Sequence, residues 1–200
     1  MDGIGWATSA MLSARSRLDI ASDNLANAGS DGFRRHLARG LFDGAGSHVV
    51  PTASGEQGAL RRTGRPFDLA LAGAGDFVVV DARGFTSRTR NGSFSRDRFG
   101  ALSDDAGRRL QGRHGALLVP EGATIALDGT VRKGGLAIDR IALPSGTTVR
   151  SGFLESSNVN AIAEMIDMLG AQRSFESAQK VVTAIDATNQ KASNELARLK

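Results

Sequence analysis

Apolar residues recur at every seventh position through the first 28 residues. Two series share this spacing: Ile4, Met11, Leu18 and Leu25 at one position, and Ala7, Ala14, Ala21 and Ala28 three residues further on. Such spacing places both series on one face of an α-helix, as the a and d positions of a heptad repeat. We therefore predict a helix of about 37 Å over residues 4–28. Its alanines would let a partner helix approach closely.

The end of the chain repeats this pattern. One series consists of Met168, Phe175, Val182, Asn189 and Leu196, and the series three residues further on is Ala171, Ala178, Ile185, Ala192 and Leu199. A helix from about 160 to 199 is predicted, with Ser157, Asn158 or Asn160 as its N-cap. Ile162, Met165, Ile166 and Leu169 would widen its apolar face. Asn189, at an a position, is either a polar residue that fixes the register or a residue near a frayed end.

Residues 67–143 follow a different period. Alternation begins at Phe67, Leu69 and Leu71, and Asn91-Gly92 between alternating segments predicts a β-hairpin. "DARG" at 81–84, "DDAG" at 104–107 and "DG" at 128–129 indicate further turns. Later strands are predicted at 116–119, 123–127, 130–132 and 136–143. The middle of the chain is therefore predicted to be a small, mainly antiparallel β-domain.

These patterns predict an α+β protein: long N- and C-terminal heptad helices packed as an antiparallel coiled coil, with the β-domain between them in sequence. Gly, Ser and Pro are frequent in 43–66, which we interpret as an extended linker. The predicted segments are thus a helical segment at 1–42, the linker at 43–66, the β-domain at 67–150 and a second helical segment at 151–200. Each helical seam could also be completed by a neighbouring subunit. The predicted assembly interface is Ile4, Met11, Leu18, Leu25, Met168, Phe175, Val182, Asn189 and Leu196.

The segment "ASDNLANAGSDGFRR" at 21–35 ends the first helix. Asn27 or Gly29 could adopt the left-handed conformation that closes a helix C-terminus. Ser30-Asp31-Gly32 would then form a turn. Phe33 would anchor the chain on an apolar surface, with the two arginines that follow facing outward.

Charge and composition narrow the function classes. The formal net charge is +4, and residues 61–113 hold 11 Arg against six Asp, a local excess of five positive charges. A basic region of this kind indicates either a nucleic-acid surface or simply an Arg-rich composition. Tyr is absent and Trp single, so the aromatic residues of a base-stacking platform are missing. A basic nucleic-acid-binding coiled-coil protein remains an alternative.

No pattern of an enzyme, a cofactor site or a metal site is evident. The three His, at 36, 48 and 114, show no catalytic-triad order or metal-ligand spacing, and Cys is absent. "GAGDFV" at 73–78 precedes a strand rather than opening a helix, which is not the arrangement of a nucleotide fingerprint. No apolar run is long enough for a membrane span. The N-terminus has no basic segment followed by an apolar one, so a cleaved signal peptide is not expected.

Two motifs resemble those of the bacterial flagellar rod and hook protein family. "NLANAGSDGFRR" is similar to the family's N-terminal signature, Asn-Leu-Ala-Asn followed by a spacer and Thr-Pro-Gly-Phe, with Ser30-Asp31 in place of Thr-Pro. "SGFLESSNVNAIAEMIDMLGAQRSFE" resembles its C-terminal signature. The matching residues are Asn24, Leu25, Ala26, Asn27, Gly32, Phe33, Arg34, Leu154, Glu155, Ser157, Asn158, Val159, Glu164, Met165, Gln172, Arg173 and Phe175.

The middle of the chain carries the resemblance further, in "TGRPFDLALAGAGDFVVV" and "VPEGATIALDGTV". Within the family, "VPTASGEQGALRRTGRPFDLAL" and the ending "VVTAIDATNQKASNELARL" are most similar to the proximal-rod subunit. A distal-rod or hook-type axial subunit is the alternative within the family.

The resemblance implies a structural subunit that polymerises through its terminal helices into the axial rod of the basal body. It implies other rod subunits and the flagellar type III export apparatus as partners, and export without a cleaved signal to the rod in the periplasm. Neither a cofactor nor an enzymatic activity is implied. Heptad seams at both ends suit a helical assembly that does not close on itself.

Overall fold

The computed structural model describes residues 3–43 and 46–198, and side chains for 3–41 and 48–194. It forms two compact units. The helical unit comprises the described residues of Met1–Ala28, Arg35–Ser54 and Val159–Lys200, and the β unit comprises Gly29–Arg34 and Gly55–Asn158. The chain is thus α+β, with a helix near each end and a mainly antiparallel β unit, as the sequence predicts at this level.

The helical unit contains α1, Gly3–Ala26, and α2, Ala161–Arg198. Asn160 caps α2, because its Oδ1 accepts hydrogen bonds from the backbone N–H groups of Ile162 and Ala163 at 3.1 and 3.2 Å. The predicted helix positions and one of the three predicted caps are therefore confirmed.

The two helices of this unit run in opposite directions along each other. The start of α1 lies beside Ile185, since a Cβ on Gly3 would be 3.4 Å from Ile185 Cδ1. Its end lies beside the first turn of α2, where Asn24 Nδ2 donates to Glu164 Oε2 at 3.0 Å. The d-position alanines are buried between them: Ala7, Ala14, Ala21, Ala171 and Ala178.

A β-hairpin completes the helical unit. Strand β1, His36–Asp43, pairs antiparallel with β2, Gly46–Ala53, and both contact α1. Val49 is buried, and Ser54 N–H donates to the Arg35 carbonyl at 2.8 Å. The segment 43–66 therefore contains β2, and also β3, Leu60–Arg62, where its composition predicts an extended linker. Local composition could not show this, because strand pairing satisfies the backbone through partners distant in sequence.

The β unit is built from antiparallel pairs. The strands after β3 are β4 Leu69–Ala72, β5 Phe77–Val80, β6 Thr86–Thr89, β7 Ser95–Arg96, β8 Leu102–Ser103, β9 Arg109–Gly112, β10 Gly115–Ala116, β11 Thr124–Ile125, β12 Thr130–Lys133, β13 Leu136–Arg140, β14 Thr148–Ser151 and β15 Phe153–Glu155. They form the sheets β6-β5-β9-β8-β7 with β10 on β9, β11-β12-β13, and the pairs β14–β4 and β15–β3. Because the last two strands pair with the first two, the unit is closed by contacts between its chain ends.

A single apolar core lies inside this unit. It contains twelve buried residues: Leu69, Leu71, Phe77, Val79, Phe94, Leu102, Leu110, Leu117, Val119, Val131, Ile141 and Val149. The rings of Phe77 and Phe94 meet edge to face with centroids 5.4 Å apart. The alternation that begins at Phe67 places Leu69 and Leu71 in this core and packs Phe67 against it.

Three Asp-x-x-Gly turns connect strands with the same geometry. They begin at Asp81, Asp97 and Asp104, and in each one the aspartate Oδ1 accepts from the backbone N–H two and four residues later, at 2.8–3.1 Å. The glycines that end them have φ between 74° and 86°, a left-handed conformation that favours glycine. The "DARG" and "DDAG" turns are thus confirmed.

Hydrogen bonding also affects the ionisation of two turn carboxyls. Desolvation acts to raise the pKa of Asp97, but the N–H groups of Ala101 and Phe99 together with the guanidinium of Arg109 outweigh it, so the pKa lies below its ordinary value. The hydroxyl and N–H of Thr130 lower the pKa of Asp128. Both carboxyls therefore favour the folded state above the pKa of an unfolded Asp, about 3.9, and this contribution is lost as the pH falls through the folded pKa.

The prediction of a hairpin turn at Asn91-Gly92 is wrong. Strand β6 turns back on β5 instead, and Gly92 lies buried between strands, where its carbonyl accepts from Leu69 N–H at 2.9 Å. A Cβ on Gly92 would come within 1.6 Å of the Leu69 carbonyl oxygen. The glycine is required by a close backbone approach, which produces the same Asn-Gly pair as a tight turn.

The predicted termination of α1 is also wrong. Neither Asn27 nor Gly29 has a positive φ. The helix ends with a bifurcated bond from Asn27 N–H to the carbonyls of Asp23 and Asn24, both at 3.1 Å. The left-handed residue is Gly32, with φ 72°, in the predicted Ser30–Phe33 turn, which Phe33 N–H closes on the Ser30 carbonyl at 3.2 Å.

We predict that Gly92→Ala lowers the unfolding free energy of the β unit by about 1–3 kcal/mol, because a methyl group cannot enter the space beside Leu69 without moving backbone. Chemical denaturation followed by far-UV circular dichroism measures this. Gly55→Ala is the matched control, since nothing lies within 4 Å of a Cβ at Gly55. Equal stability of the two variants would contradict the close approach.

Candidate assembly interface

The residues predicted for assembly lie along the two helices of the helical unit. Seven of them are half-buried: Ile4, Met11, Leu18, Leu25, Met168, Phe175 and Val182. Asn189 is exposed, and Leu196 lies outside the residues whose side chains are described. The seam alanines are buried more deeply than these larger side chains, which flank them.

A second apolar surface lies on α2, away from the alanine seam. Ile162, Met165, Ile166 and Leu169 are 72%, 48%, 64% and 53% exposed. Their spacing of three, one and three residues puts them on one helix face. We call these four residues the α2 stripe. The sequence predicts that these four residues widen the apolar face that the helix buries. They remain exposed instead, because the alanine seam takes up the contact between the helices.

A buried polar network joins α1, the residues before β1 and the start of α2. Asn24 is fully buried. Its Oδ1 accepts from His36 N–H at 2.7 Å, and its Nδ2 donates to the His36 carbonyl at 2.8 Å and to Glu164 at 3.0 Å. Arg35 Nε donates to the other oxygen of Glu164, which is 1% exposed. The family-motif Asn24 thus positions the chain after α1 and one carboxylate of α2.

This network corrects the prediction that Arg35 faces outward, and it gives a structural role to Glu164, which the sequence marks only as a match to the family's C-terminal signature. Arg35 does not simply face outward: it also pairs with Asp167 of α2 at 3.0 Å. The heptad pattern does not identify Glu164 as an interface residue, because the a and d positions of a heptad repeat are expected to be apolar and Glu164 is a carboxylate at a d position. A cavity of about 500 Å³ adjoins the network and is lined by Arg17, Arg35, Glu164 and Gly170, among others.

Other family-motif residues hold the β unit together. Gly32 N–H donates to the Glu155 carbonyl at 2.6 Å. A Cβ on Gly32 would lie 2.2 Å from the backbone nitrogen of Asn91, so both its φ and its surroundings require glycine. Asn158 Nδ2 donates to the Glu56 carbonyl at 2.9 Å. These motif positions keep backbone segments close together within the unit.

The side chain of Glu155 forms a buried ion pair with Arg90. Arg90 Nη1 and Glu155 Oε2 are 2.9 Å apart, and both side chains are 2% exposed. Arg90 Nη2 also donates to the Gly73 carbonyl at 2.7 Å, and Glu155 Oε1 accepts from Gly58 N–H at 3.1 Å. Both charges are therefore hydrogen-bonded to backbone as well as to each other, as burial requires.

The remaining motif residues differ in exposure. Leu154 is buried; Leu25, Asn27, Phe33, Ser157 and Val159 are half-buried; Ala26, Gln172 and Arg173 are exposed. Asn27 Nδ2 donates to the Asp23 carbonyl at 2.9 Å. Because α2 exposes Gln172 and Arg173, these two motif residues are available for contact with another molecule.

The described residues show little that suggests catalysis. Among them, no group of three or more His, Cys, Asp or Glu side chains could hold a metal ion. His36 and His114 are each 3.0 Å from an aspartate, Asp23 and Asp139. Within the described ranges, neither helix is long and apolar enough to cross a membrane.

Three family models match the chain in order. Residues 5–34 match "Flagella basal body rod protein", residues 70–149 match "Flagellar hook protein FlgE/F/G D1 domain", and residues 150–195 match "Flagellar basal body rod FlgEFG protein C-terminal". The first includes Asn24 and Gly32, and the last includes Glu155, Glu164 and the α2 stripe.

Relatives match over most of the chain. It is 32% identical to the flagellar basal-body rod protein FlgF of Escherichia coli strain K12, over 84% of this chain and 87% of the relative. It is 31% identical to FlgF of Mesorhizobium japonicum, over 88% and 89%. With the rod protein FlgG of Bacillus subtilis the identity is 28%, over 93% and 96%. The chain belongs to the flagellar basal-body rod protein family and is a structural subunit of the rod. The resemblance seen in the sequence is confirmed.

We predict that Arg90→Met destabilises the β unit by about 3–5 kcal/mol, because it leaves the carboxylate of Glu155 buried without its partner charge. The double variant Arg90→Met/Glu155→Met should lose less than Arg90→Met alone. Arg61→Met is the control: it removes an exposed pair with Asp31 and should cost under about 1 kcal/mol. Urea denaturation measures the unfolding free energies of the three variants. A double variant that is less stable than Arg90→Met would contradict the assignment.

Proposed function

We propose that this subunit polymerises into the rod through its terminal helices, with the α2 stripe as a contact to a neighbouring axial subunit. The observation that carries the proposal is the exposure of four large apolar side chains on one face of α2. Contiguous exposed apolar residues on a soluble unit are typical of a protein–protein contact. Membership of the rod protein family supports assembly with other axial subunits, and the family model that matches residues 150–195 includes the stripe.

The positions of the exposed apolar residues on the two helices suit an open-ended helical polymer. The stripe lies on α2, whereas α1 exposes a different pair of apolar residues, Trp6 and Leu12, at 53% and 60%. Contact between two unlike surfaces gives a heterologous interface, which builds a helical polymer when its rotation does not close. We infer that the two helices form an antiparallel coiled coil, because both seams repeat every seven residues.

The place of this subunit along the rod and its export pathway are inferred from the family. The identity of 32% and 31% to two FlgF proteins exceeds the 28% identity to FlgG of Bacillus subtilis, and together with the motifs it favours the proximal rod. A distal-rod or hook-type subunit is the alternative, favoured by the match to FlgG over 93% of the chain. Export through the flagellar type III apparatus without a cleaved signal, and a place in the periplasm, belong to this proposal. So does the absence of an enzymatic activity.

The basic β unit is proposed to act in structure rather than in binding nucleic acid. Five arginines of 61–113 form ion pairs with acidic residues of the same unit: Arg61, Arg65, Arg90, Arg108 and Arg109. Arg109 and Arg98 also lie over the ring of Phe99, at 5.5 and 4.8 Å from its centroid. DNA affinity that falls steeply with salt would instead indicate phosphate contacts.

We predict that Ile166→Asp abolishes rod assembly while the isolated protein stays folded. A charge on an exposed position changes stability by about 0.5 kcal/mol or less, but it would be buried without a partner in an apolar contact. The measurement is complementation of a deletion strain, scored by swimming and by electron microscopy of basal bodies.

Gln179→Asp supplies the control, since it places the same charge on another exposed position of α2. This variant should support swimming. Complete rods and normal swimming with Ile166→Asp would show that the α2 stripe is not an assembly surface.

A further inference from the structure

The alanine seam between α1 and α2 does not by itself define one register. The buried alanines of α1 repeat every seven residues, at Ala7, Ala14 and Ala21, and so do Ala171 and Ala178 of α2. Sliding one helix by a heptad, about 10.5 Å, again places alanine against alanine.

We propose that Glu164 specifies the register of the two helices. It occupies the next position of the alanine series, seven residues before Ala171, and is 1% exposed. An alanine would continue the seam at that position, whereas a carboxylate must find hydrogen-bond donors wherever it is buried. In this register the donors are Asn24 Nδ2 and Arg35 Nε.

These donors cannot follow a slide. Asn24 is held by two bonds to the backbone of His36, and Arg35 precedes the hairpin whose strands contact α1. A slide by one heptad in one direction would bring Glu164 to the position seven residues before Asn24, which is Arg17. Arg17 could supply a charge there but not the second, amide donor. A slide in the other direction would move Glu164 beyond the end of α1.

A polar residue at one seam position is a known device for fixing the register of paired helices, at some cost in stability. Here the register decides at which height along α1 the α2 stripe is presented. If the proposed function is right, the register therefore also sets the spacing of neighbouring subunits. The register itself is a property of the single chain and can be tested without assembly.

The absence of cysteine makes a direct test possible. Ala10 and Ser177 line one cavity, so Ala10→Cys/Ser177→Cys reports the native register. Ala10→Cys/Gly170→Cys and Ala10→Cys/Ala184→Cys report slides of one heptad in the two directions. Each pair is placed in the otherwise unchanged chain and with Glu164→Ala, and the rate of disulfide formation is measured on the purified full chain.

In the unchanged chain we expect the native pair to oxidise at least tenfold faster than either shifted pair. With Glu164→Ala, at least one shifted pair should gain tenfold or more in rate, with helical circular dichroism retained. Asp167→Ala is the control: it removes a carboxylate that also pairs with Arg35 but is 59% exposed, and it should leave all rates unchanged.

Two results would overturn the proposal. One is an unchanged preference for the native pair with Glu164→Ala, because another contact then sets the register. The other is loss of helical circular dichroism in that variant, because Glu164 would then be needed for folding of the pair rather than for its register. Failure of rod assembly in cells with the native register intact would count against the proposed function alone.

Discussion

Close packing of α1 against α2 along alanine residues is the constraint on which the helical unit depends. A small side chain brings two helix backbones near each other, but it removes little apolar area from water. The larger side chains that flank the seam, such as Met11 and Phe175, remain half-buried. The single chain consequently leaves much apolar surface on its helices available to neighbours. The alanine seam does not specify the register of the two helices. The polar contacts of Asn24, Arg35 and Glu164 specify it.

The β unit is stabilised by a core, turns and strand pairing of its own. Its apolar core is complete within the unit, its turns repeat one aspartate-and-glycine geometry, and its ends are joined by β3–β15 and β4–β14 pairing. The buried pair of Arg90 and Glu155 adds a point at which several loops meet. A unit of this kind can keep its fold when the helices change their environment on assembly.

Local sequence signals predicted much of this structure. Both helices follow from heptad spacing and an Asn cap, and the Asp-x-x-Gly turns follow from side chains that bind their own backbone. The failures concern contacts across long separations. Asn91-Gly92 resembles a turn because glycine serves a close backbone approach equally well. Arg35 and Glu164 are 129 residues apart, and nothing local identifies one as the partner of the other. The family motif did mark Asn24, Glu155 and Glu164, but their roles became clear only when their partners were placed.

In the rod, the exposed face of α2 is proposed to be covered by another axial subunit. The most direct measurement is site-specific photo-crosslinking from position 165, which is 48% exposed in the single chain, in intact basal bodies. We predict a covalent adduct between this subunit and a neighbouring axial subunit, absent when the purified protein is irradiated alone. Basal bodies that contain the subunit but give no adduct from this position would contradict the account.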